Sequence, residues 1–192
     1  MELLTTTDMT QAAASMRALL VLAARRRLHM TRTKTVKLLY LADLRSVEAD
    51  SAARSGVLWR WWHYGPYCRS LRDIENKLVA DGALDRELRR LSPYVSETVL
   101  TASPHTTEIP PQSAELVPFI DAELAAHGRK TAKELTVLAY ATPPMQTAKK
   151  YDEQGLVLLF DDRPDPDRDF ALGRYKRHAD SEAFLASVEA RI

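Results

Sequence analysis

The sequence is poor in the residues that metal, disulfide and nucleotide chemistry need. Its 192 residues include one cysteine and five histidines, which excludes an internal disulfide and leaves little material for a structural zinc site. Cys68 is expected to be a small buried hydrophobe. Six glycines leave little room for a phosphate-cradling loop, and no Gly-rich phosphate motif, HExxH pair or GxSxG elbow is present. No apolar run approaches the roughly 20 residues of a membrane span. The opening MELLTTTDMT lacks the basic stretch and apolar core of a secretory signal. The chain is therefore expected to be cytoplasmic, with no membrane contact, metal or cofactor. In DDRPDPDRDF, Asp165, Asp167 and Asp169 match the first ligands of a calcium loop. Phe170 stands where that loop needs glycine and Lys176 where it needs glutamate, so calcium is not expected.

What is present is the composition of a globular protein, with 45% hydrophobic and 28% charged residues in a length that suits one domain. The net charge of +1 is unevenly spread: residues 1–80 carry 13 Lys and Arg against 7 Asp and Glu, and the remainder carries 14 against 19. Asp8 should cap a first helix, with Gln11 reaching back in a capping box. Met9, Ala12, Ala13, Met16, Leu19, Leu20 and Ala23 form its inner face, and Arg25, Arg26 and Arg27 complement the dipole at its end. A second helix should begin at Thr31 or Thr33. Its run Leu38, Leu39, Tyr40, Leu41 covers most of the helix circumference, because successive side chains diverge by about 100°, so other elements should surround it. Asp43 falls inside that apolar pattern and needs donors.

All three tryptophans lie in WRWWHYGPY, residues 59–67. The aromatic and β-branched content of residues 57–64 predicts a short strand, with Val57, Trp59, Trp61 and His63 on one face and Leu58, Arg60, Trp62 and Tyr64 on the other. Gly65-Pro66 should end it, and Pro66 is suited to open a third helix carrying Leu71, Ile74, Leu78 and Val79, capped by Gly82. Residues 94–100 read as a strand and residues 101–113 as a loop. Residues 114–127 read as a helix with Pro118 in its first turn and Gly128 as its cap. Thr131 and Glu134 form a capping box before another helix, which Thr142-Pro143-Pro144 should stop. Residues 156–160 suggest a last short strand and residues 181–192 a terminal helix. The fold class is mainly α-helical (α+β) with a small β-hairpin or short antiparallel sheet.

The block Lys37-Leu38-Leu39-Tyr40-Leu41-Ala42-Asp43, followed some twenty residues later by Trp62-His63-Tyr64-Gly65-Pro66-Tyr67 and then Leu71, resembles the Panacea antitoxin domain, also described as the SocA-like or phage-associated protein domain. The resemblance is closest over residues 31–82 and looser over residues 113–150. It does not extend to the first 30 residues or to those from Gly155 onward. It implies a single, mainly helical domain without catalytic residues. Its function would be to neutralise a cognate protein toxin by direct binding, delivery of the toxin to a protease being a variant. The motif residues Leu38, Leu39, Tyr40, Asp43, Trp62, Tyr64, Gly65 and Pro66 are then scaffold, with Trp62 and Tyr64 in the core. Trp59, Arg60, Trp61 and Tyr67 are the partner-binding candidates, because interfaces favour Trp, Tyr and Arg. A homo-oligomer is compatible with the same features. Two other classes compete. A nucleic-acid-binding regulator needs the N-terminal positive charge gathered on one face. A hydrolase or transferase needs an open pocket around Asp43, His63 or Cys68.

Overall fold

The computed structural model describes residues 6–50, 52–149, 155–158 and 160. Six helices, α1 (Met9–Arg25), α2 (Arg32–Asp50), α3 (Ser70–Ala80), α4 (Val117–His127), α5 (Ala132–Tyr140) and α6 (Pro143–Lys149), accompany one antiparallel hairpin of β1 (Leu84–Ser92) and β2 (Val95–Ala102). The fold is mainly helical with a two-stranded antiparallel sheet. The expected terminal helix and the DDRPDPDRDF stretch lie outside the described residues. No helix among the described residues is long and apolar enough to cross a membrane.

Helices α1 and α2 form the centre. Asp8 caps α1 by accepting from the amides of Thr10 and Gln11, both at 3.0 Å. The capping box expected of Gln11 is not formed: its amide nitrogen donates instead to the carbonyls of Arg54 and Gln112. Burial on α1 runs almost unbroken from Ala14 to Ala23 because α3, α4 and β2 all pack on it. Helix α2 is buried continuously from Lys37 to Leu44, with α4 and α5 against it, as the all-round apolar run predicts.

Both capping motifs at the ends of residues 128–131 have distinct physical roles. Thr131 and Glu134 make the expected capping box for α5. Gly128 ends α4 with a right-handed φ of −59°, so conformational freedom does not explain it. A Cβ there would lie 2.5 Å from both the Leu124 carbonyl oxygen and Leu28 Cδ1, so close packing does. Thr142-Pro143-Pro144 ends α5 but also opens α6, which the sequence reading missed. Thr142 Oγ1 bonds to the Ala139 carbonyl and the Tyr40 hydroxyl, and prolines fit a first helical turn where amides have no partner.

The hairpin is only half absorbed. Val99 and Leu100 are buried beside the α1–α2 connection, where the Leu100 amide donates to the Met30 carbonyl at 2.9 Å. The far half projects, leaving Leu88 72% and Tyr94 97% exposed. Glu75, itself 1% exposed, ties three elements together through a two-pronged bond to Arg32 at 2.6 Å and one to Arg86 at 2.9 Å.

Candidate functional site

Residues 57–67 are the hinge between core and surface. The stretch is extended as far as Trp62 and turns at residues 63–66, held by isolated bridges rather than forming the expected strand: Arg60 pairs with Tyr67 on one side and with Val157 on the other. The flanking bonds run from the Leu158 amide to the Trp59 carbonyl (2.9 Å) and from the Trp61 amide to the Leu156 carbonyl (2.7 Å). The expected last strand is thus an extended piece at residues 156–158, paired through Val157 alone.

Alternation along the segment is as the sequence implies, with Val57, Trp59 and Trp61 buried and Arg60 and Trp62 exposed. Which face turns inward is the reverse of the expectation. Trp59 is 1% and Trp61 3% exposed, so neither offers a surface to a partner. Trp62 and Tyr64, expected in the core, are 37% and 79% exposed. The reason is Asp43. Its buried carboxylate takes the Trp59 indole N–H at 2.7 Å, the amides of Arg54 and Ser55 at 2.9 and 2.7 Å, and the Ser55 hydroxyl. An inward Trp59 satisfies a charge that would otherwise be costly to bury, and period two then carries Trp61 in and Trp62 out. Burial pushes the Asp43 carboxyl above its ordinary range, and the four donors hold it back. Every donor is aimed at the ionised form, and the group is closed to solvent, so no substrate reaches it.

Leu38, Leu39 and Tyr40 are fully buried, as a scaffold requires, and Tyr40 meets Trp59 edge-on at 5.5 Å. Gly65 and Pro66 are also buried. Gly65 adopts φ +98°, and a Cβ on it would lie 2.8 Å from Lys37 Nζ. Pro66 does not open α3, which begins at Ser70; its carbonyl instead accepts from Lys37 Nζ at 3.0 Å. The turn is therefore fixed from three directions. Lys37 holds it from α2, the Arg60–Tyr67 pair closes its ends with bonds of 2.8 and 2.9 Å, and the Tyr140 hydroxyl on α5 donates to the carbonyls of Trp62 and His63.

This anchored turn presents Trp62 and Tyr67, 40% exposed, with ring centroids 5.7 Å apart. They line an open groove of about 820 Å³ whose other wall is the first turns of α2, from Arg32 to Lys37, and whose end is the start of α3 at Arg69 and Ser70. Arg32, Lys37, Arg60 and Arg69 line the groove, and no Asp or Glu does. Lys37 is 4% exposed, and burial lowers its pKa to about 8. The sequence reading missed Lys37 as a site residue. Its signal was a lysine directly adjoining the apolar run of α2, where an ammonium is costly unless paired.

His63 and Cys68 are not brought together as base and nucleophile. His63 is exposed and stacks edge-on with Trp61 at 5.4 Å, whereas Cys68 is buried with Thr7 Oγ1 3.2 Å from its sulfur. Among the described residues, no group of three or more His, Cys, Asp or Glu side chains is placed to hold a metal ion. No protein-family model matches the chain, and neither a curated protein nor a solved structure shows significant similarity to it.

Proposed function

We propose that this protein is the antitoxin of a two-gene toxin–antitoxin module and neutralises a protein toxin by binding it directly. The observation that carries the reading is the aromatic face of Trp62, Tyr64 and Tyr67, kept in solvent by a turn that three separate anchors immobilise. A rigid, amphipathic aromatic face loses little entropy on binding and supplies the contact area that interface hot spots use. The order of the KLLYLAD and WHYGPY blocks, and the resemblance they carry, supports the same reading.

A nucleic-acid regulator is less well supported. Arg26, which caps the end of α1, is paired with Asp121, and Arg17 and Arg25 donate to the carbonyls of Glu108 and Thr107. Of the four cations that do gather in the groove, Lys37 is buried and Arg32 is bonded to Glu75, which leaves Arg60 and Arg69, too few to track a phosphate backbone.

Co-expression with the adjacent open reading frame tests the proposal. The neighbour alone should arrest growth and the pair should not. A neighbour that is harmless alone, or equally toxic beside this protein, removes the basis of the reading. Trp62→Ala combined with Tyr64→Ala should weaken neutralisation without lowering the melting temperature. Full neutralisation by that variant would move the interface elsewhere. Toxin lifetime in the same cells separates direct inhibition, which leaves it unchanged, from delivery to a protease, which shortens it.

A further inference from the structure

The groove beneath the aromatic face has a charge pattern that packing alone does not require. A lysine ammonium carries three donors, and the Pro66 carbonyl is the one acceptor that Lys37 Nζ meets among the described residues. No described carboxylate pairs with Lys37, Arg60 or Arg69. The cation at the back of the groove is buried and without a counterion, although a buried charge is normally paired. The groove ends at the first turn of α3, an eleven-residue helix whose N-cap position is occupied by Arg69 and has no side-chain cap bond. A helix start adds partial positive charge to the same place; the amides of Leu71 and Arg72 are taken by the carbonyls of Cys68 and Arg69, and Asp73 of the same turn does not line the groove. The tilted pair of Trp62 and Tyr67 borders it with apolar surface.

We propose that this groove is an anion-binding subsite that receives the carboxylate of an Asp or Glu side chain of the partner protein. The carboxylate meets Lys37 and the start of α3, while an adjacent apolar side chain lies on Trp62 and Tyr67. The inference rests on the protein-binding reading and names the partner chemistry of that face. One buried ammonium balances one carboxylate, and the neighbouring aromatic shelf suits a peptide in which acidic and apolar side chains adjoin. Arg60 and Arg69 stand at the rim, where exposed cations steer an acidic segment inward and raise the association rate more than the affinity.

The test is an NMR titration of the full chain with three probes: the acetylated, amidated tripeptide Phe-Glu-Phe, its Phe-Gln-Phe counterpart, and inorganic phosphate. The glutamate peptide should shift the Gly65 and Ser70 amide resonances, and the glutamine peptide should bind about tenfold more weakly, the loss expected for one charge-assisted hydrogen bond. Lys37→Met keeps the length of the buried stem and should abolish the difference. Arg69→Glu, an exposed rim change with no demand on folding, should also weaken the glutamate peptide. Equal binding of the two peptides, no shift with either, or a preference that survives in Lys37→Met overturns the proposal. Tighter binding of phosphate than of the glutamate peptide also overturns the carboxylate assignment, in favour of a phosphorylated ligand. The co-expression assay separates this from the functional reading. If the native chain neutralises the neighbour and Arg69→Glu does so equally well, the anion subsite fails alone. If the native chain does not neutralise it, the antitoxin reading fails whatever the peptides do.

Discussion

Asp43 and Lys37 are both buried ionisable residues on α2, and the contrast between them separates structure from function. Asp43 faces four donors, so it is a closed structural knot. Asp43→Asn puts an amide NH2 against donors and should cost about 3 kcal/mol, in the range for breaking a buried charged network. Trp59→Phe keeps most of the ring and loses one charged hydrogen bond, for about 2 kcal/mol. Urea unfolding measures both. Lys37 is the opposite case, a buried cation with a single carbonyl. Its pKa falls to about 8 from 10.5, so between those values the unfolded chain binds more protons than the native one and stability rises with pH. Across that window the lysine contributes roughly 3 kcal/mol. Lys37→Met should be the more stable protein near neutrality, with an advantage that shrinks by that amount by about pH 10. A stability gap that does not change with pH would show that Lys37 is not desolvated as described. The need of Asp43 for donors was legible from its helical spacing behind Leu39 and Val36, which puts it inside the apolar pattern. The isolation of Lys37 was not, because it depends on a turn thirty residues away.

At the scale of the element, residues 57–67 show what a period-two pattern contains. Alternation determines which side chains share a face, but not which face turns inward when both are aromatic. That choice was made by a bond to another helix, from Trp59 to Asp43. Trp61→Ala should therefore cost more than about 3 kcal/mol, as large core truncations do. Trp62→Ala should stay within about 0.5 kcal/mol, as exposed changes do. Thermal or denaturant unfolding of the pair checks the inversion directly. At Gly65 a side chain meets both a left-handed φ and the Lys37 ammonium. Gly65→Ala should destabilise by at least about 1 kcal/mol and displace the aromatic face with it. Helix identities were legible because their apolar spacing and caps are local. Helix α6 and the strand β1 were not, since Pro143 and Pro144 signal a stop as well as a start, and β1 is exposed over nearly all its length.

For the whole molecule, the Glu75 junction links α2, α3 and β1, and with them one wall of the groove. Burial alone would raise the Glu75 carboxyl, but the bonds to Arg32 and Arg86 outweigh it and hold the group below its usual 4.5. A lowered native pKa gives stability that is present above the unfolded value and disappears as pH falls through the native one. Glu75→Gln should cost about 3 kcal/mol near neutrality, and the gap to the native protein should close in acid below pH 4.5. A gap of constant size down to acid would remove the charge from the account. The mainly helical class and the single small hairpin followed from local patterns along the chain. The groove did not, because its α2 wall lies some thirty residues before the turn at residues 62–67 and the adjoining start of α3, and the two sides meet only through packing.

The three tryptophans occupy three unlike environments: one bonded to a carboxylate, one buried with its indole nitrogen unpartnered among the described residues, and one facing the groove. The protein thereby carries its own optical reporter. Trp62 should supply the red-shifted, iodide-quenchable part of the emission, while Trp59 and Trp61 contribute a blue, protected background. Anything that settles on the aromatic face should shift the spectrum to shorter wavelength and protect it from quencher, without an added dye. In Trp62→Phe that response should vanish while the background remains.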